Sequence, residues 1–172
     1  MFDAISSQAS KLVKLTNRVK KNYSKTKLLT ITSGKGGVGK STLTANIASL
    51  LAKRGFSVAI LDADIGLANM QVLLDIRPQY TLFEYIDGIK TLDEVITKTI
   101  YQNLFLIAGK SGYQYTSNTN SFIFSRVVED IISLSQFDIL LVDTGAGLND
   151  YVKEFLSISD NILAITTTDP SA

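Results

Sequence analysis

Short runs of leucine and β-branched residues recur at residues 28–32, 57–61, 104–108, 138–142 and 161–166, with little of the polar alternation of a half-exposed strand. Unbroken apolar runs of this length suit strands covered on both faces, and so predict a mainly parallel sheet. Between them, helices are expected at 40–54, 67–74, 122–135 and 150–157. In the third of these, Phe122, Val127, Val128, Ile131, Ile132 and Leu134 make a broad apolar face able to cover a sheet. Strand and helix alternate, which predicts an α/β fold of three layers. Residues 112–121 are polar and turn-rich, and read as a surface loop.

Residues 1–26 form a separate piece. Ile5, Ala9, Leu12, Val13, Thr16 and Val19 recur at three- and four-residue spacing, with Lys11, Lys14, Arg18, Lys20 and Lys21 elsewhere around the wheel. This is a basic amphipathic helix followed by a linker. It suits packing on its own domain, contact with an anionic membrane surface, or docking on a partner protein. Residues 27–172 are then the second unit.

The first strand runs directly into Gly34, Lys35, Gly36, Gly37, Val38, Gly39, Lys40, Ser41 and Thr42. Gly34, Gly39, Lys40 and Ser41 satisfy the pattern G-x-x-x-x-G-K-[ST], between a strand and a helix, where a phosphate loop belongs. Glycines allow the backbone to wrap so that several N–H groups converge on one anion, and the following helix adds its positive end. Lys40 then lies along the β/γ-phosphates, Ser41 gives its hydroxyl to Mg²⁺, and Thr42 reaches the α-phosphate. A P-loop NTPase fold follows.

Ligands of open parallel sheets lie outside the carboxyl ends of the strands. Two strands there end in aspartate: residues 57–61 run into Asp62 and Asp64, and residues 138–142 into Asp143. Asp143 occupies a Walker B position and is read as a Mg²⁺ residue acting through water, a helix cap being the alternative role. Gly145 and Gly147 would let the backbone bend toward the γ-phosphate. Mg²⁺ keeps most of its waters, so one of Asp62 and Asp64 is enough near the metal and the other is free to orient a water.

Composition narrows the chemistry. The 172 residues are 45% hydrophobic and carry a net charge of +1. Residues 1–27 hold seven Lys/Arg against Asp3, leaving ten against fifteen acids in the remainder. That acidic remainder argues against binding nucleic acid. There is no cysteine and no histidine, which excludes disulfides, thiolate metal clusters and imidazole catalysis in this sequence. No apolar run has the length of a membrane span, so a cytosolic protein is expected, docking peripherally if at all.

Lys35 is not required by the general phosphate-loop pattern. With it, Lys35-Gly36-Gly37-Val38-Gly39-Lys40-Ser41 resembles the deviant Walker A ATPases of the MinD/ParA family. The resemblance implies ATP as the nucleotide and an ATP-dependent homodimer in which Lys35 reaches across to the partner's phosphates. Residues 62–69 resemble switch I of the MinD branch, which implies that Asp64 positions the hydrolytic water and Asp62 supports the metal. Lys35, Lys40 and Asp64 are thus the catalytic set. Residues 143–148, the basic N-terminal helix and residues 167–172 look like the flagellar-number regulator branch known as FlhG, FleN or YlxH.

That branch begins with Asp-Gln-Ala-x-x-Leu-Arg, which activates a signal-recognition-type GTPase, FlhF. Here Gln8, Ala9 and Leu12 match, while Ser7 and Val13 differ. Gln8 and Leu12 are the expected partner contacts. The branch implies a nucleotide-dependent switch governing flagellar number or placement, at the inner face of the membrane or the cell pole. A non-catalytic docking module and a DNA-partition ATPase are the competing readings. Family members continue past residue 172 with the segments that hold the base, so the chain is expected to be a truncated form with an incompletely covered last strand.

Overall fold

The computed structural model describes residues 26–65, 67–111 and 122–168. In chain order the elements are β1 (Lys27–Ser33), α1 (Lys40–Lys53), β2 (Val58–Ala63), α2 (Met70–Leu73), α3 (Leu82–Ile86), α4 (Leu92–Val95), β3 (Ile96–Lys98), β4 (Leu104–Ile107), α5 (Ile123–Ser133), β5 (Ile139–Ala146), α6 (Asp150–Ile158) and β6 (Asn161–Ile165). Six strands form one sheet in the order β3-β4-β2-β5-β1-β6. Every pairing is parallel except β3 with β4. The expected α/β architecture with a mainly parallel sheet is therefore the observed one.

Alternation along the strands divides the core in two. Ile31, Val58, Ile60, Leu106 and Leu141 face α1, where Ala45, Ala48 and Ala52 let the helix lie close to the sheet. Leu28, Ala59, Leu61, Leu140 and Val142 face the other way, onto Phe124, Val127, Val128 and Ile131 of α5 and Phe155 of α6. The central strand β2 is buried at all six positions, as its apolar run requires.

Two differences from the sequence reading have physical causes. The helix expected at 67–74 contracts to one turn, because the residues before it are held by Asp62 and Asp64 carboxylates in a loop. Helices α3 and α4 and strand β3 were not anticipated, being short. Each helix nevertheless opens with a capping box, Thr81 with Glu84 and Thr91 with Glu94. Strand β6, whose cover was expected to be incomplete, pairs only with β1 among the described residues and leaves Ile162 52% exposed. Residues 1–25 of the N-terminal segment 1–26, and the loop 112–121, lie outside the described residues.

The second layer is fixed by aromatic packing. The fully buried Phe124 lies 5.2 Å from the Phe155 ring and 6.2 Å from that of Tyr151, joining α5 to α6. Phe124→Ala should cost about 3–5 kcal/mol by opening a cavity at this junction. The measurement is the urea midpoint; a loss under about 1 kcal/mol would show that the two helices do not depend on this ring.

Candidate nucleotide-binding site

Parallel strands deliver their carboxyl ends to one edge, and there the loops after β1, β2 and β5 meet. Residues 35–42 line a cavity of about 450 Å³ together with Ser33, Asp64, Leu67, Asn69, Leu73 and Ala146. The expected phosphate residues Lys35, Gly36, Gly37, Val38, Gly39, Lys40, Ser41 and Thr42 are all on that wall, as is Asp64. Gly34, Asp62 and Asp143 are not among its lining residues. Gln8 and Leu12 lie outside the described residues.

The turn into α1 depends on left-handed backbone. Gly37 has φ 77° and Gly39, the residue preceding the first helical residue, has φ 88°. An L side chain is strained there, so the glycines are needed for the reversal that aims successive amides inward. Ser33 Oγ donates to Lys35 O at 2.9 Å, which fixes the start of the loop.

Lys40 begins α1 and points beneath the loop. Its Nζ pairs with Asp143 Oδ1 at 3.1 Å, and Thr44, one turn on, donates its hydroxyl to the same oxygen at 3.0 Å. Lys40 is 7% exposed and Asp143 is fully buried. Asp143 Oδ2 is buried with no hydrogen-bond partner among the described residues. An acceptor left orphaned next to the Ser41 turn suits a hydrated hard cation, which needs few protein ligands. No group of three or more acidic, His or Cys side chains capable of holding a metal occurs among the described residues. Any Mg²⁺ here would therefore be held by Ser41, Asp143 through water, and the ligand's own oxygens.

Asp62 sits beside Asp143 in register across β2 and β5. Its oxygens accept from the amides of Met70 at 3.1 Å and Asp64 at 3.2 Å, so it organises the loop leading to Asp64. Burial pushes its carboxyl up to about 7, the Asp143 charge adding to the rise against the pull of the two amides. Asp64 Oδ1 accepts from Leu67 N at 3.1 Å and lies above Gly145.

The β5 end is re-aimed by a bulge: Ile31 is opposite Asp143, but Ser33 is opposite Ala146. Thr144 donates to Ile31 O across it, and Gly147 N donates to Ser33 O. Gly147 has φ 85°, whereas Gly145 is not left-handed, so the expected backbone freedom applies only to the former. At Gly145 the absent side chain matters for space, since a Cβ would lie 3.4 Å from Asp64 Oδ1 and 3.5 Å from Tyr151 Oη. Thr44 and Tyr151 escaped the sequence reading. Thr44 was signalled by its place four residues after Lys40, on the same helix face; Tyr151 carried no such signal.

Comparison with known proteins agrees with this geometry. The family model described as "ParA: NUBPL iron-transfer P-loop NTPase" matches residues 24–172. The flagellum site-determining protein YlxH of Helicobacter pylori is 40% identical over 98% of this chain and 59% of its own length. The antiactivator FleN of Pseudomonas aeruginosa is 33% identical over 84% of this chain and 52% of its own. Among solved structures, the septum site-determining protein MinD of Pyrococcus horikoshii, complexed with Mg-ADP, superposes with a TM-score of 0.75 at 26% identity, over 85% of this chain and 60% of that one. The chain thus spans between about half and three fifths of the length of these relatives.

Two outcomes follow from the geometry. Lys40→Ala should destabilise by about 3–5 kcal/mol, because it strands the Asp143 charge in the core, and Asp143→Asn in the same chain should restore most of the loss. Urea titration of the single and double variants measures this, and equal instability of both would contradict it.

The second concerns Asp62. A carboxyl raised from 3.8 to about 7 binds its proton more tightly in the folded state. Its contribution to stability therefore declines as pH rises from about 4 to about 7 and is level above that. Relative to Asp62→Asn, the parent chain should lose stability across that window without metal or nucleotide; parallel pH profiles would show that the shift is absent.

Proposed function

Because the chain belongs to the ParA/MinD-type P-loop NTPases, we propose that it is a nucleotide-dependent switch that binds Mg·ATP, hydrolyses it slowly and serves flagellar number or placement. The observation that carries the nucleotide reading is the cavity that joins residues 35–42 to Asp64 and Ala146 above a buried Lys40–Asp143 pair. For the flagellar role, the support is the Helicobacter relative. Its match takes in 98% of this chain and so extends into the basic N-terminal segment, whereas the family model begins at residue 24.

In this reading the amides of residues 36–41 and the Lys40 ammonium hold the phosphates, and Ser41 and Asp143 would hold Mg²⁺ with Asp62 in support. Bound there, Mg²⁺ would supply charge neutralisation to the phosphates. Asp64 orients a water whose oxygen bonds to the γ-phosphorus as the bond to the β–γ bridging oxygen breaks. ADP and phosphate leave, and the water's proton passes to the carboxylate or the phosphate. Lys35 serves a second copy of the chain across an ATP-dependent dimer. Leu67 and Leu73 support that closure, being 71% and 44% exposed on the cavity wall where a second copy would bury them.

The basic segment, with Gln8 and Leu12, is the docking element for a signal-recognition-type GTPase such as FlhF, at the cytoplasmic membrane face. No helix among the described residues is long and apolar enough to cross a membrane. Calorimetry should find Mg·ATP binding in the parent and in Asp64→Ala, and none detectable in the stability-rescued Lys40→Ala/Asp143→Asn chain. Asp64→Ala should lower turnover at least a hundredfold, as removing a general base does. Hydrolysis by Asp64→Ala at the parent rate would refute the assignment.

A further inference from the structure

We propose that Thr44 is a positioning residue for the metal: its hydroxyl keeps the Asp143 carboxylate oriented toward Mg²⁺ once a nucleotide has drawn Lys40 away. The inference rests on the reading of residues 34–42 as a Mg·ATP site, and deepens it with a residue outside the phosphate-loop pattern.

Asp143 is satisfied on one side only. Its Oδ1 accepts from Lys40 Nζ at 3.1 Å and from the Thr44 hydroxyl at 3.0 Å, whereas Oδ2 is buried with no partner among the described residues. Two donors thus crowd one oxygen and leave the other for a ligand. The two donors differ in what else is asked of them. Lys40 lies on the cavity wall, where phosphates compete for its ammonium. Thr44 is fully buried and lines no part of that cavity, so it acts on the site through Asp143 alone.

The torsion that turns an aspartate carboxylate is broad and does not fix the plane of its oxygens by itself. A donor on a helix does. When Lys40 leaves for the phosphates, the Thr44 hydroxyl remains as the donor to Oδ1, and Oδ2 keeps the place from which it can hold a metal-bound water.

The hydroxyl has an alternative acceptor, Lys40 O, also at 3.0 Å and one helical turn back. Its single proton can serve only one of the two fully. Hydrogen bonds to an ionised acceptor are the stronger, so withdrawal of the ammonium commits the proton to Asp143. Thr44→Val removes the hydroxyl at nearly constant shape. Thr44→Ser keeps it.

The test is calorimetry of ADP binding to the full chain, with Mg²⁺ and with EDTA, so that no turnover enters. In the parent, Mg²⁺ should tighten ADP binding. In Thr44→Val that tightening should shrink roughly five- to tenfold, the worth of one hydrogen bond to a charged group, while Kd in EDTA stays within about twofold. Thr44→Ser should recover the Mg²⁺ effect to within about twofold; should the valine chain not fold, Thr44→Ala, which also lacks the hydroxyl, is read in the same way. Melting temperatures of the nucleotide-free chains separate this role from a structural one. A hydroxyl-free variant that melts lower but keeps the parent's Mg²⁺ effect, or a serine variant that fails to recover a lost effect, overturns the inference alone. A parent that binds ADP equally with Mg²⁺ and with EDTA overturns the metal reading beneath it as well, and a parent that binds no ADP overturns the nucleotide reading.

Discussion

The buried pair of Lys40 and Asp143 is the constraint on which the site depends. It ties the first residue of α1 to the end of β5 at 3.1 Å, with Thr44 reinforcing the same oxygen. The loop at residues 34–39 is thereby strung between β1, which runs beside β5, and a helix start that β5 holds. A loop rich in glycine loses much entropy on ordering, and fixing both of its ends reduces what the loop itself must supply. The pair is also poised for change: a phosphate competing for Lys40 would leave Asp143 in need of a new cation, which a divalent metal provides.

Asp62 and Asp143 stand side by side in register at the ends of adjacent strands, yet they are satisfied by opposite means. Asp143 has an ammonium and a hydroxyl; Asp62 has two amides and no cation among the described residues. Two like charges cannot both be buried cheaply on neighbouring strands. The outcome is a carboxyl at Asp62 whose affinity for a proton is raised to about 7 by burial first and by Asp143 after it. The amides it holds are those of Asp64 and Met70, so the acid at the end of β2 shapes the loop that carries the candidate for water activation.

The phosphate loop was legible because its function demands particular residues at particular spacing, and local geometry then follows; Gly37 and Gly39 adopt the left-handed backbone for which glycine was expected. The strands were legible because a central parallel strand needs apolar residues on both faces, and residues 58–61 and 63 of β2 obey. Prediction failed where tertiary context decides. Residues 67–74 have helical spacing, but the carboxylates at the end of β2 claim the amides of Leu67 and Met70 and leave one turn. Strand β3, three residues long, owes its place to pairing with β4, and no periodicity of its own announces it. Tyr151 was invisible for the same reason: only the folded chain brings its hydroxyl and the Asp64 carboxylate to Gly145.

That bulge connects the sheet to the chemistry. In a regular β5, Gly145 would stand opposite Ser33; the extra residue between the Ile31 and Ser33 pairings puts Ala146 there instead, at the start of the phosphate loop. Thr144 seals the irregularity by donating to Ile31 O, and Gly147 N closes the far side on Ser33 O. The segment after β5 is then bound at one end to the strand that feeds the phosphate loop and at the other to α6, whose cap at Asn149 follows two residues after Gly147. Because α6 packs through Phe155 onto Phe124 of α5, the layer opposite α1 is anchored to the segment that follows β5, although neither α5 nor α6 contributes a residue to the lining of the phosphate-loop cavity.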